Sequence, residues 1–266
     1  MITKRYIKII QELLNSTSKI TTINLLISEF SKNNFKQRLF RSLLRVTDET
    51  NKYKFASFVI FLQNKFQLNS VDYQDALILY LTKERETKKP YTFLELGACD
   101  GVYKSNCNLL KDFGWTGLSV EANPKYAPDL KKNRDHFLIA AVTTTSSTEL
   151  DLYFNPGKLS SGSVMLNNSN SGEKLAKIKV QAINIVDLCN KVRSLFNEIT
   201  YISIDIEGGE ELILARLLDD LKPDFVSIEH NNDELKMKLI TEIADSRNYK
   251  EIYKHLTRNE FILRKI

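Results

Sequence analysis

Cysteine is scarce in this 266-residue sequence, and its three copies, Cys99, Cys107 and Cys189, form no CxxC pair. An odd, scattered set excludes a disulfide framework or zinc knuckle and suits reduced thiols in the cytoplasm. Long apolar runs are missing too. The richest stretches, Phe58–Leu62 and Ala76–Leu81, fall far short of the roughly 18–20 residues that cross a bilayer, so no membrane span is expected. The N-terminal MITKRYIKIIQELL interrupts its apolar residues with charge, which argues against an export signal and for a cytoplasmic location. Glycine and proline are absent from residues 1–88: the first proline is Pro90 and the first glycine Gly97.

That absence matches what is present there. YIKIIQELL, INLLISEF, FKQRLFRSLLRV, FASFVIFLQNKF and YQDALILYLTKERE repeat apolar residues at three- and four-residue steps, with Thr21, Asn34 and Ser70 as N-cap candidates. Residues 1–88 are read as a helical domain, joined through TKKPY at 87–91 to a second domain, 89–266. Residues 1–90 carry 16 Lys+Arg against 8 Asp+Glu, whereas 91–266 carry 22 against 25. The basic excess suits an anionic partner, but the charges are scattered, and a solvated helix surface accounts for them. Pairing of two copies through this segment is a further arrangement the pattern allows.

From Tyr91 the pattern changes. YTFLEL, WTGLSVEA, FLIAAV, TYISIDI, DFVSIEH, EIYKHL and FILRKI read as strands. YKSNCNLLKDFG, PKYAPDLKKNR, GEELILARLLDD and DELKMKLITEIADSR read as helices between them. This alternation predicts an α/β fold with a parallel sheet covered on both faces. The close spacing of the last two strands predicts an antiparallel hairpin at one edge. LDLYFN and KIKVQAIN form an expected extra strand pair around the Gly/Ser/Asn-rich PGKLSSGSVMLNNSNSG, whose Lys158 and serines are candidates to touch an acceptor.

The chemistry concentrates at strand ends. The first strand runs into FLELGACDGVYKSN, where Gly97 and Gly101 are spaced G-x-x-x-G. That is not the G-x-G-x-x-G of pyrophosphate binders, and no P-loop lysine accompanies it. Glu95 and Asp100 suit a cationic ligand instead. Glu121 ends the second strand 24 residues after Gly97, the placement of an acid that accepts both ribose hydroxyls. A cationic adenosine ligand without phosphate fits this set, and S-adenosylmethionine is such a ligand. The third signal is YISIDIEGGEELIL. Strand alternation puts Asp205 and Glu207 on one side, while Glu210 and Glu211 fall in the first turn of the next helix, where acids complement its dipole. A carboxylate such as Asp205 within an apolar strand needs a partner, a metal or a substrate. Glu229 and His230 end the following strand. His230 titrates in the range useful to a base, whereas His136 and His255 lack such a setting.

LELGACDG, VEANP, DIEGGE and RNEFILRK together resemble the FkbM-type family of S-adenosylmethionine-dependent methyltransferases over about residues 90–266. The D-x-E-G-x-E signature falls on Asp205, Glu207, Gly208 and Glu210. Glu95 stands where the family usually has Asp. The resemblance implies a Rossmann-like seven-stranded methyltransferase sheet and O-methylation, frequently of sugars or secondary metabolites. On this reading Glu95, Gly97, Asp100, Gly101 and Glu121 hold the donor. Asp205, Glu207 and His230 serve a sugar or glycan acceptor, as base or as ligands of a divalent cation that acidifies the hydroxyl. Two rivals remain. A nicotinamide oxidoreductase needs the middle glycine that GACDG lacks. A nucleic-acid methyltransferase or RNA-binding module would use the basic helices, but DIEG stands where base amino methylation commonly has an Asn/Asp-Pro-Pro-aromatic tetrad, so nucleic acid is not the expected partner.

Overall fold

The computed structural model describes residues 70, 73–82, 91–154, 162–163, 175–252 and 259–266. These lie in one compact unit, Leu68–Ile252 with Asn259–Ile266. The first four helical segments expected from the sequence, with Thr21 and Asn34, lie outside the described residues, as do Lys158 and His255. The fifth is present as α1, Gln74–Thr82. It belongs to the sheet's unit, where Gln74 Nε2 donates to Glu260 Oε1 from the far end of the chain. Helix α1, read from the sequence as part of the helical segment, is thus grouped with the sheet. Long-range side-chain pairing is invisible to local periodicity.

After α1 come β1 (Thr92–Leu96), α2 (Asn108–Asp112), β2 (Thr116–Glu121), a 3-10 turn (Pro124–Tyr126), α3 (Ala127–Asn133), β3 (His136–Ile139), β4 (Ala141–Thr143), β5 (Glu149–Phe154), β6 (Gly162–Ser163) and β7 (Ala176–Asn184). The chain continues through α4 (Ile185–Leu195), β8 (Tyr201–Ile204), α5 (Glu210–Leu221), β9 (Phe225–Glu229), α6 (Glu234–Asp245), β10 (Tyr249–Glu251) and β11 (Glu260–Lys265). Seven strands form the main sheet in the order β10-β11-β9-β8-β1-β2-β3. All its neighbours are parallel except β10–β11 and β11–β9. The Rossmann-like seven-stranded reading is therefore observed, with one difference: the antiparallel β11 lies inside the sheet, between β10 and β9. A second sheet, β4-β7-β5-β6, contains the expected extra pair, β5 against β7.

Period-two alternation explains the two faces of the main sheet. Leu94, Leu96, Leu118, Val120, Ile202, Ile204, Val226 and Ile228 share a core with Leu188, Val192, Ile213, Leu217 and Ile240 of α4, α5 and α6. Each such side chain contributes about 1.5–3 kcal/mol of burial. The alternate residues give a polar row across four strands, Ser119–Glu95–Ser203–Ser227, in direct register. All four are buried, so each must find a hydrogen-bond partner.

Two elements depart from the sequence pattern for visible reasons. FLIAAV is two strands, because the chain leaves the main sheet at Ala140 and enters the second at β4. YKSNCNLLKDFG is helical only over Asn108–Asp112. Lys104 sits at φ 59°, and the Ser105 hydroxyl and Asn106 amide are turned onto the Glu95 carboxylate. Helix α4 has no counterpart among the expected elements. Asn184 caps it, accepting from the Val186 amide.

Candidate active site

The main sheet reverses direction of winding between β1 and its neighbours β2 and β8, and the crevice beyond their carboxyl ends is where open α/β sheets bind ligands. The register brings the expected residues together there. Leu96 pairs with Val120 and Ile204, and Ile204 with Ile228. The next residue on each strand is Glu121, Gly97, Asp205 or Glu229, so three acids and a glycine share one row along the rim. The row is tight. The Asp205 amide donates to the Leu96 carbonyl (3.0 Å) and the Gly97 amide to the Val120 carbonyl (2.9 Å). A Cβ on Gly97, at φ +88°, would lie 1.7 Å from the Asp205 carbonyl oxygen. Only glycine fits, because the Asp205 carbonyl fills the place a Cβ would take.

The loop after Gly97 is held by carboxylates from below and from the side. Asp100 Oδ1 accepts the amides of Val102 (2.7 Å) and Tyr103 (2.6 Å), and Asn133 Nδ2 donates to the Asp100 carbonyl. Gly101, at φ +82°, packs against Leu130, Asn133 and Arg134 at α3 and just beyond it. Glu121 Oε2 accepts the Cys99 amide and Oε1 the Asn123 amide, both at 2.8 Å. Burial pushes the Glu121 carboxyl above the ordinary range, an effect these amides oppose.

Glu95 has a different role from the one expected. It is 1 % exposed. Its Oε1 accepts from Ser105 Oγ (2.6 Å) and the Asn106 amide (2.9 Å), and its Oε2 from Ser119 Oγ (2.8 Å) and Arg134 Nη2 (3.3 Å). Both oxygens are saturated one layer beneath the rim, so Glu95 braces the loop and has no lone pair to offer a donor ligand.

The acidic half of the rim is poised to hold protons. Burial and the carboxylates of Glu207 and Glu210 push Asp205 up to about 7. Burial, then Asp205, Glu207 and Glu210, push Glu229 up to about 8. Glu207 is also raised, by burial and by Glu210. The ammonium groups of Lys104 and Lys236 offset part of the Asp205 and Glu207 shifts, and Lys236 part of that at Glu229. Glu229 Oε2 is buried without a hydrogen-bond partner. The turn that carries Glu207 is left-handed throughout, with φ of 59° at Glu207, 137° at Gly208 and 84° at Gly209. Glu210, fully buried, locks it: Oε1 accepts the Gly208 amide (2.8 Å) and Oε2 the Lys236 ammonium (2.6 Å).

A family model for the FkbM methyltransferase domain matches residues 95–263. The chain belongs to that family, and it is a methyltransferase. Among solved structures, the chain is similar to an FkbM methyltransferase from Methylobacillus flagellatus KT, at 12% identity and TM-score 0.41 over 86% of this chain and 58% of that one. It is also similar to a TehB-like SAM-dependent methyltransferase from Corynebacterium glutamicum, at 10% identity and TM-score 0.37 over 82% and 97%. A third is Aeropyrum pernix fibrillarin with natively bound S-adenosyl-L-methionine, at 11% and 0.35 over 73% and 76%. No curated protein matches. The family assignment rests on the sequence match and not on these superpositions.

Within this FkbM domain, His230 does not fit the role of base. It is 4 % exposed. Its Nδ1 accepts the Asn232 amide (3.0 Å), the ring hydrogen-bonds the Glu260 backbone and it packs at a tilt against Phe261, ring centroids 4.5 Å apart. Burial and Lys236 lower its pKa further. The ring is committed to the turn after β9. Nor do Asp205, Glu207 and His230 gather as cation ligands: among the described residues no three His, Cys, Asp or Glu side chains form a metal-sized group. The residue the sequence reading left out of its final set is Glu229, whose place beside Asp205 follows from the β8–β9 register. Lys104 and Lys236 were missed as well, since nothing local in YKSN or DELK marks a lysine that faces distant acids.

Proposed function

We propose that this FkbM methyltransferase moves a methyl group from S-adenosylmethionine to the oxygen of a hydroxyl, in a sugar of a glycan or glycoconjugate. The observation that carries this reading is the rim row itself: bare backbone at Gly97, flanked by Glu121 on one side and the proton-poised Asp205 and Glu229 on the other. The residues fit the donor. Glu121, aimed by backbone amides at the strand end, keeps acceptor capacity for a ribose hydroxyl, the Gly97–Gly101 loop offers backbone close to the ligand, and the acids complement a cation where a diphosphate would be repelled. S-adenosylmethionine supplies an electrophilic methyl carbon on a sulfonium, whose sulfur keeps the bonding pair as a neutral thioether when the carbon–oxygen bond forms.

The chain's own part is alignment and proton removal. A carboxylate that titrates at 7–8 takes a hydroxyl proton far better than an ordinary one, and a placed base adds about 10²–10⁴ in rate. Asp205 and Glu229 act on the acceptor from adjacent strand ends, with Glu207 beside Asp205. Positioning of the oxygen against the methyl carbon contributes up to roughly 7–11 kcal/mol. The acid rim also disfavours a polyanionic acceptor, which argues against the nucleic-acid alternative. Radiolabelled donor presented to a panel of glycans, lipid-free sugars and RNA tests the reading. Label in a hydroxyl-bearing sugar supports it, and label in RNA alone overturns it. Asp205→Asn is expected to lower turnover at least tenfold while the donor still binds.

A further inference from the structure

Lys236 stands in the wrong place for a lysine. It is the third residue of α6, whose first turn begins at Glu234, and its amide bonds to the capping Asp233. A cation in a first turn opposes the helix dipole. Its long stem is also mostly buried, at 13 % side-chain exposure. Nothing about α6 itself explains this. The ammonium reaches across to α5 and meets Glu210 Oε2 at 2.6 Å, where the glutamate is entirely buried. Glu210 in turn holds the Gly208 amide through its other oxygen. The connection therefore runs from α6, through an ion pair and one backbone hydrogen bond, into the left-handed turn that carries Glu207 and follows Asp205.

We propose that Lys236 is a positioning residue for methyl transfer: it clamps Glu210 so that Glu210 holds the Glu207–Gly209 turn, and with it the acids that face the acceptor. Three consecutive left-handed residues have no helix or strand to keep them in place, and Glu210 is the side chain that bonds inside the turn. Without the ammonium, Glu210 would be a buried charge with no ionic partner, which is costly enough to expel the carboxylate or protonate it. Either outcome weakens its hold on Gly208. Arg264 and His230 lie on neighbouring elements, but neither contacts Glu210. Lys104, which also faces Asp205 and Glu207, comes from the β1 loop, so the turn has one cation on each side. Lys236 carries the mechanical connection.

This inference rests on the acceptor-side reading of Asp205 and Glu207, and the test separates the two. Lys236→Met, Lys236→Arg, Glu210→Gln and Glu210→Gln/Lys236→Met would be compared in the full chain. The measurements are donor Kd by calorimetry, kcat and KM by labelled methyl transfer, and hydrogen exchange over residues 205–211. Lys236→Met is expected to lower kcat about 10- to 100-fold, change donor Kd less than threefold and speed exchange at Gly208 at least tenfold. Lys236→Arg, which keeps a cation, restores each to within about threefold. In the Glu210→Gln background, Lys236→Met adds less than twofold to any readout, because the lysine acts through that carboxylate. Undiminished Gly208 protection in Lys236→Met, or an equal further loss in the Glu210→Gln background, overturns the proposal. A wild-type chain that methylates no hydroxyl would sink the acceptor reading but leave the exchange and coupling measurements to judge the clamp.

Discussion

Alanine at Gly97 is the sharpest test of how the rim is built. Its Cβ would sit 1.7 Å from the Asp205 carbonyl oxygen and 2.8 Å from that carbonyl's carbon, on a residue at φ +88°. Both colliding groups are main chain, so no rotamer change relieves them, and the ends of β1 and β8 must separate. The left-handed backbone costs an alanine about 1–2 kcal/mol. Overpacking adds about 1–3 kcal/mol, and a stretched Asp205–Leu96 hydrogen bond about 0.5–1.5 kcal/mol. A loss of about 3–6 kcal/mol lowers the Tm by roughly 6–20 °C for a chain of this size. Gly114 provides the control: its φ is +81°, yet nothing lies within 4 Å of its Cβ position. Gly114→Ala should therefore show only the backbone cost, a fall of about 2–8 °C. Scanning calorimetry of the two variants, with S-adenosylhomocysteine titration of whichever remains folded, measures both consequences. Gly97→Ala no less stable than Gly114→Ala, or binding the nucleoside as wild type does, would refute the close approach and the floor built on it.

Three other outcomes follow from the same geometry. Glu121→Ala is expected to weaken donor affinity about 10- to 100-fold, since a lost charged hydrogen bond costs about 1.5–3 kcal/mol; calorimetric titration giving unchanged affinity removes Glu121 from the ribose. Glu95→Gln should instead destabilise the fold by about 3–5 kcal/mol, because it breaks a buried ion pair with Arg134, and a stable variant with selectively weaker donor binding would restore Glu95 as a ligand contact. Asp205 and Glu229 bind protons in the native state up to about 7 and 8, well above where an unfolded chain releases them, so the folded chain holds more protons between pH 4 and 8 and its stability falls as pH rises through that window. Tm measured from pH 5 to pH 8 should decline, less steeply in Asp205→Asn with Asp75, itself raised to about 7, keeping part of the slope; a flat or rising profile contradicts the shifts.

The parallel strands were legible because each is a short apolar run whose alternation has to be buried on both faces, and the three acids were legible because each ends such a run. Their grouping into one row needed the strand order, since Glu121, Asp205 and Glu229 are up to 108 positions apart and nothing local says that β1 lies between β2 and β8. The roles of Glu95 and His230 were misjudged for a common reason. Residue type and position at a strand end suggest chemistry, but whether a carboxylate or an imidazole is free depends on what its lone pairs already accept. Ser105, Asn106, Ser119 and Arg134 occupy Glu95, and the Asn232 amide occupies His230. YKSNCN reads as helix from its composition, and it fails to be one because the Ser105 hydroxyl and the Asn106 backbone amide are spent on that same buried carboxylate.

Glu95 and Gly97 show how one alternation produces both the brace and the opening. They lie two residues apart on β1, hence on the same face. On the row of Glu95 both neighbours are polar and paired, Ser119 donating to Glu95 and Ser203 accepting from Asn106, so the layer is closed. Just past the strand end the central residue is glycine, and the flanking acids meet backbone amides, other carboxylates and the charges of Lys104 and Lys236. On the proposed reading, a sulfonium held there would oppose the effect of burial and of neighbouring carboxylates that raises Asp205 and Glu229, so donor binding is expected to draw protons off them. Donor binding and proton release would then be linked. Calorimetric titration of the donor in buffers of differing ionisation enthalpy reads this directly: below about pH 8 the observed heat should vary with the buffer in the sense of proton release. Heat independent of buffer would separate the donor from those acids.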